Sequence, residues 1–315
     1  MLAGCDKARH KGTMNRTPHH HPLHLRRSLL SVPAVNARAL AKSATLDCDA
    51  IIYDLEDSVL PEKKAEARAA LIAHFAALDR SDGREHVMRI NPLDGPDGLR
   101  DLEAALQCMP DAVLLPKVSG PQDILAAADW FSEAGADDGP RLWAMTETAA
   151  ALLNLSSIAE TGRTQGGRLD CFVVGLNDLR KETGIADIAG RPFLVPLLLQ
   201  VVVAARACGL DVVDSVFNDF ADSDGLAAEC RQGRQMGFDG KMLIHPAQIA
   251  AANDAFGVTE AEAAEAIAIV AAFSAPENVG KAVVNIAGRM VEKLHAEQAE
   301  RLLGKADLIN ERKKA

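Results

Sequence analysis

Two acids stand where a cation could be held. Glu147 closes the run Trp143-Ala144-Met145-Thr146-Glu147, and Asp178 follows Val173-Val174-Gly175-Leu176-Asn177. A hard divalent ion such as Mg2+ takes carboxylate oxygens and keeps positions for water and substrate, so two acids presented by neighbouring strand ends suit it. They equally suit a plainer task, because a carboxylate at a strand-to-helix junction stabilises the first helical turn. No His and Cys set with zinc spacing accompanies them, and H-E-x-x-H is absent.

Arg89, inside Val87-Met88-Arg89-Ile90-Asn91, puts a permanent charge in an apolar strand. It needs either a structural counter-ion or the carboxylate of a ligand, which its planar fork pairs with two bonds. Lys117, after Leu114-Leu115-Pro116, poses the same choice. A Schiff-base role is a third option for it, one that requires a depressed pKa and has no use for the acidic pair. The run Asp54-Leu55-Glu56-Asp57 sets three acids at one strand end, to ligate a metal through water, to relay protons, or to cap a helix starting near Pro61. His245, before Pro246, is a general base or a strand-end histidine bonded to backbone.

The elements that must position these residues are strands alternating with helices from Arg26 onward. Short β-like runs fall at 28–33, 50–56, 86–91, 112–118, 142–147, 171–175, 212–217 and 241–245. Between them lie Ala-, Leu- and Glu-rich stretches such as 61–78, 98–109 and 123–134, apolar on one face at helical spacing. This is the count of a closed (β/α)8 barrel, although an open doubly wound sheet alternates similarly. Polar residues recur where the strands end, and only a barrel gathers all those ends around one mouth. The expected organisation is a disordered leader over 1–25, an α/β TIM barrel over 26–256 and a C-terminal helical extension or lid over 257–315. That extension has a break at 274–280 and a last helix near 292–303.

Composition excludes some partners. A net charge of −10 argues against a broad nucleic-acid or anionic-membrane surface, so an anionic ligand must meet a local basic pocket. The longest apolar run, 193–205, is interrupted by Pro196 and Gln200 and reads as a buried helix rather than a span. Six cysteines without C-x-x-C spacing point to a reducing, cytoplasmic setting. The histidines at 19–21 belong to the leader and carry no supported metal site. Neither G-x-G-x-x-G after the first strand, nor a P-loop, nor a G-x-S-x-G elbow is present.

Taken in order, several segments resemble the HpcH/HpaI aldolase and citrate lyase β-subunit family, in its CoA-ester lyase branch. They are Arg27-Ser28-Leu29-Leu30-Ser31-Val32-Pro33, Asp54-Leu55-Glu56-Asp57-Ser58-Val59, residues 63–68, Arg89-Ile90-Asn91, Leu115-Pro116-Lys117 and Glu147-Thr148-Ala149. Gly175-Leu176-Asn177-Asp178-Leu179, Gly237-Phe238-Asp239-Gly240-Lys241 and Ile244-His245-Pro246-Ala247-Gln248 continue the series. The resemblance covers roughly residues 26 to 305. It implies a barrel assembled as a homotrimer or hexamer, Mg2+ on Glu147 and Asp178, and Arg89 on the substrate carboxylate, with Glu147 and Lys117 also at the substrate.

The implied reaction is reversible cleavage of a 3-hydroxy-3-carboxyacyl thioester such as malyl-CoA, citramalyl-CoA or citryl-CoA into an oxoacid and an acyl-CoA. A CoA-independent aldolase of 2-oxo-4-hydroxy acids and a non-catalytic lyase subunit are the alternatives. One segment departs from the family. Where its CoA-ester lyases have G-x-M-[IV]-D, with the aspartate brought over the site, often from a neighbouring subunit, this chain has Gly288-Arg289-Met290-Val291-Glu292. The expected proton acceptor is Glu292 or a water held by Asp57, with Glu292 equally able to serve only as a cap of the final helix.

Overall fold

Runs of Val, Ile, Leu and Ala bounded by Asp, Gly and Pro become eight strands in the computed structural model, which describes residues 23–164 and 166–314. They are β1 (Ser28–Pro33), β2 (Ala50–Asp54), β3 (Glu85–Arg89), β4 (Ala112–Leu115), β5 (Arg141–Thr146), β6 (Leu169–Val174), β7 (Asp211–Asp214) and β8 (Gly240–Leu243). Each pairs in parallel with the next, and β8 returns to β1 through Ser28↔Lys241, Leu29↔Met242 and Leu30↔Leu243, so the sheet is a closed barrel. The leader expected over 1–25, with its histidines, lies outside the described residues as far as residue 22.

The helices α1 (Ala37–Ser43), α2 (Lys64–Ala76), α3 (Gly98–Cys108), α4 (Pro121–Glu133), α5 (Ala149–Leu153), α6 (Leu155–Glu160), α7 (Leu176–Thr183), α8 (Val195–Cys208) and α9 (Ser223–Met236) run between strands. Strands covered on both sides must be apolar on both faces, and β2 is buried at every residue. Ala50 and Ile52 point inward to a core with Leu29, Val87, Leu114, Trp143 and Val173. Ile51 and Tyr53 point outward to Leu71 and Phe75 of α2. The 193–205 run differs from expectation: α8 buries Leu198, Val201, Val202 and Ala205 but leaves Val203 68% exposed, so one face alone packs.

Beyond β8 the chain forms α10 (Ile249–Ala255), α11 (Glu260–Ser274), a hairpin of β9 (Val283–Ile286) and β10 (Arg289–Glu292), and α12 (Lys293–Arg312). The hairpin replaces what the sequence reading treats as loop followed by helix. Its two turn residues, Ala287 and Gly288, both have positive φ, at 50° and 83°. That is the backbone such a two-residue turn needs, but Ala at its first position hides the signal that Asn or Gly would give. Farther along, Arg301 pairs with Asp211 at 3.0 Å, Lys305 with Asp239 at 3.0 Å and Arg312 with Asp49 at 2.6 Å. Those acids begin or precede β7, β8 and β2. Helix α12 therefore lies across the amino-terminal end of the barrel.

One buried titratable group lies on the outer face of β3. His86 is fully buried, its Nδ1 3.0 Å from the Tyr53 hydroxyl, and its Nε2 has no hydrogen-bond partner. Burial lowers its pKa from 6.5 to about 4. Protonation between those values occurs in the unfolded chain first, so the stability from a neutral His86 is complete above pH 6.5 and is lost as pH falls toward 4. The displacement is worth up to about 3 kcal/mol. We expect His86→Gln to flatten the loss of urea resistance between pH 7 and pH 4.5. An unchanged acid-side slope in that variant would count against the assignment.

Candidate active site

The carboxyl ends of the strands ring a cavity of about 400 Å3, lined among others by Ser31, Asp54, Asp57, Arg89, Glu147 and Asp178. Several of these acids and bases lie just past the last paired residue, in loops rather than in the longer strands expected. Pro116, which lacks an N–H, and Lys117, with φ of 51°, explain why β4 stops at Leu115.

Arg89 has the structural counter-ion that one of its two readings requires, and it also lines the cavity. Its Nε and Nη2 donate to the two oxygens of Asp54, each at 2.7 Å. Its Nη1 lies 3.0 Å from Glu56 Oε2 and 3.9 Å from Asp57 Oδ2. The approach to Glu56 is not aligned as a hydrogen bond, and Glu56 Oε2 has no hydrogen-bond partner. Burial alone would raise the pKa of Asp54, but the hydrogen bonds and charge of Arg89 outweigh it and hold the carboxyl below its ordinary range. Glu56 goes the other way, pushed up to about 8 chiefly by burial. Asp57, singled out from the sequence, has a side chain 64% exposed and reaches the cavity from its rim. Asp54 and Glu56 are both buried, and Glu56 is the one left with an unbonded oxygen, a difference the sequence does not show.

Glu147 is held from two sides. Its Oε1 accepts the Lys117 backbone N–H at 2.8 Å, and the bare α-carbon of Gly175 faces its Oε2. Thr148 caps α5 by accepting from Ala151 N and donates to the Val118 carbonyl at 3.0 Å, which ties the loop after β5 to the loop after β4. Burial raises the pKa of Glu147. Asp178 sits in the first turn of α7.

The ammonium of Lys117 lies 2.5 Å from Asp178 Oδ2 and 3.4 Å from Glu147 Oε1, so the two acids already share one cation. Burial would lower the Lys117 pKa, but the Asp178 hydrogen bond and the charges of Glu147 and Glu56 outweigh it and raise it. A Schiff-base role would call for the opposite shift, toward a neutral amine. Among the described residues no group of three or more His, Cys, Asp or Glu side chains forms a closed ligand set. Two hard oxygen donors that converge on a cation and leave the other positions to water or substrate fit Mg2+ better than zinc.

An added Cβ at Gly175 would stand 2.4 Å from Glu147 Oε2 and 2.6 Å from Glu147 Cβ. We expect Gly175→Ala to push Glu147 aside by on the order of an ångström and to lower kcat/KM about 100-fold. A circular-dichroism melt of the same variant should show the barrel intact. Unaltered kinetics would mean that Glu147 is not where the chemistry happens.

Two other residues stand apart from the cavity. His245 caps the turn after β8, its Nδ1 accepting from Ala247 N at 3.2 Å, and it stacks on Phe220, so the backbone-bonded reading holds. Glu292 ends β10 and precedes α12, where its backbone N–H donates to His295 Nδ1 at 3.0 Å. It does not line the cavity. The ion pairs that hold α12 across the far end of the barrel keep the extension from acting as a lid over its own mouth.

The chain is 43% identical over 289 residues to a (3S)-malyl-CoA thioesterase of Cereibacter sphaeroides, covering 92% of this chain and 97% of that one. It is 33% identical over 297 residues to the mitochondrial citramalyl-CoA lyase of Mus musculus, covering 91% and 88%. The crystal structure of protein CitE from Mycobacterium tuberculosis in complex with magnesium, acetoacetate and coenzyme A is similar with a TM-score of 0.70 and 27% identity, covering 89% of this chain and 97% of that one. The model of the HpcH/HpaI aldolase/citrate lyase family matches residues 27–246, from the start of β1 to just past β8. Every strand end that supplies the mouth falls inside that match, and the chain belongs to the HpcH/HpaI aldolase/citrate lyase family.

Proposed function

We propose that the protein is a Mg2+-dependent carbon–carbon lyase that cleaves, or in reverse forms, a 3-hydroxy-3-carboxyacyl CoA thioester such as malyl-CoA or citramalyl-CoA. The observation that carries this reading is the convergence of Glu147, Asp178 and Arg89 on one cavity of about 400 Å3. Glu147 and Asp178 would hold the Mg2+, which supplies charge stabilisation at the substrate's hydroxyl oxygen. Arg89 orients the substrate by pairing its carboxylate while its other edge stays fixed on Asp54.

A water on Asp57, or Glu292 from a neighbouring subunit, takes the hydroxyl proton. The bond between the hydroxyl-bearing carbon and the next carbon then breaks, giving an oxoacid and a thioester enolate, and the enolate is protonated to the acyl-CoA. A neighbour's Glu292 in that role would go with a homotrimer or hexamer. Residues 26–256 would be the catalytic unit and 257–315 the assembling extension. Free, largely buried thiols at Cys48, Cys108, Cys171, Cys208 and Cys230 support a cytoplasmic location. No helix of the described residues is long and apolar enough to cross a membrane.

A second reading has one specific support, the name carried by the 43% identical relatives: hydrolysis of the thioester of the same substrate. Products separate the two. Purified protein with Mg2+ and malyl-CoA should yield glyoxylate and acetyl-CoA by mass spectrometry. Malate and free CoA would instead establish hydrolysis, and turnover of a free 2-oxo-4-hydroxy acid without CoA would move the activity to the aldolase class.

A further inference from the structure

We propose that Lys117 is the resident counter-ion of the metal seat: its ammonium holds Glu147 and Asp178 together in the metal-free protein and leaves when a divalent cation enters. This rests on the reading of those two acids as metal ligands. Lys117 Nζ lies 2.5 Å from Asp178 Oδ2, 3.4 Å from Glu147 Oε1 and 3.8 Å from Glu56 Oε1. Among the described residues no other basic side chain lies within 4.0 Å of Glu147 or Asp178.

The backbone is bent to make this clasp. Lys117 has φ of 51°, a left-handed conformation that a residue with a side chain adopts rarely and at a cost. The bend lets one residue grip Glu147 Oε1 twice, through its backbone N–H at 2.8 Å and through its ammonium. The Ser119 hydroxyl, 3.3 Å from the Lys117 carbonyl, braces the turn.

A seat built this way cannot keep both cations. Mg2+ binds carboxylate oxygens at about 2.1 Å, so an ion on Asp178 Oδ2 would compete for the oxygen that the ammonium now occupies. Like charges crowded on one oxygen repel, and the lysine is the partner able to move. Its stem is flexible and its side chain is 31% exposed at the edge of the mouth. The exchange has two consequences. Without metal the clasp keeps the two acids from repelling one another, and on metal entry the ammonium is released toward the edge of the mouth.

The test is titration of Mg2+ alone into the EDTA-stripped, dialysed full chain by calorimetry, wild type against Lys117→Met, with thermal melts of both. Removal of the competing charge should tighten Mg2+ binding at least about tenfold. Without metal the variant should melt several degrees below wild type, and saturating Mg2+ should close that gap. If wild type binds Mg2+ and the variant binds it equally or more weakly, the counter-ion role is overturned while the metal site stands. If neither binds Mg2+, both readings fall. Should Lys117→Met not fold, Lys117→Gln keeps a polar head without the charge, and the same results are expected of it.

Discussion

Replacing Glu147 with Gln is expected to lower Mg2+-dependent turnover on the order of a thousandfold while the barrel stays folded. The amide keeps an oxygen for the Lys117 N–H, so the geometry of the loop is preserved. What is removed is the charge, half of the hard donor pair that would seat the metal. Stability should move the other way. Glu147 is buried and its pKa is raised, so the folded protein binds a proton more readily than the unfolded chain does. Its contribution to stability therefore falls as pH rises from the ordinary glutamate range through the raised value, and Gln escapes that loss. Metal-free Glu147→Gln should melt at or above wild type at neutral pH, and added Mg2+ should no longer raise its melting temperature. Full activity in this variant, or an undiminished response to Mg2+, would remove Glu147 from the ligand set.

How much of this was legible in the sequence depends on the kind of residue. The barrel reads well because β2, β4 and β6 are buried at every position, and strands covered on both faces must be continuous apolar runs. The mouth reads because polar groups recur after those runs, and closure brings their ends together. Within the cluster after β2 the reading fails. Nothing in Asp54-Leu55-Glu56-Asp57 tells that Asp54 is clamped by Arg89, that Glu56 is buried with an unbonded oxygen, or that Asp57 stands exposed at the rim of the cavity. Those fates are set by a charge on β3, distant in sequence and visible only once the strands pair.

The extension fails for a different reason. Its last helix is plain from periodicity, but where it lies is decided by Arg301, Lys305 and Arg312 finding Asp211, Asp239 and Asp49 at the amino ends of three strands. Each partner is an ordinary surface charge in the sequence. The strained backbone of Lys117 leaves no mark there either, since only the shared ammonium and the Glu147 contact call for it.

Arg89→Lys separates the two duties that one guanidinium performs. An ammonium is a point charge without the planar fork, so it cannot hold both oxygens of Asp54 and still present an edge to a substrate carboxylate. We expect KM for the oxoacid in the condensation direction to rise by about 10- to 100-fold with a smaller change in kcat, the pattern of a lost ground-state contact. Stability should drop as well, by roughly 2–4 kcal/mol, because Asp54 loses one of its paired bonds and Glu56 loses its nearest charge while both stay buried. The acid side of the profile should change in a defined sense. Asp54 is held below its ordinary pKa of 3.8 by Arg89, so in wild type its contribution is present above that value and is lost as pH falls through the lower one. With lysine the contribution shrinks, and acid unfolding should begin at higher pH. A stability loss with an unchanged oxoacid KM would make Arg89 a structural ion alone, whereas a KM effect at unchanged stability would mean that the clamp on Asp54 adds nothing to the barrel.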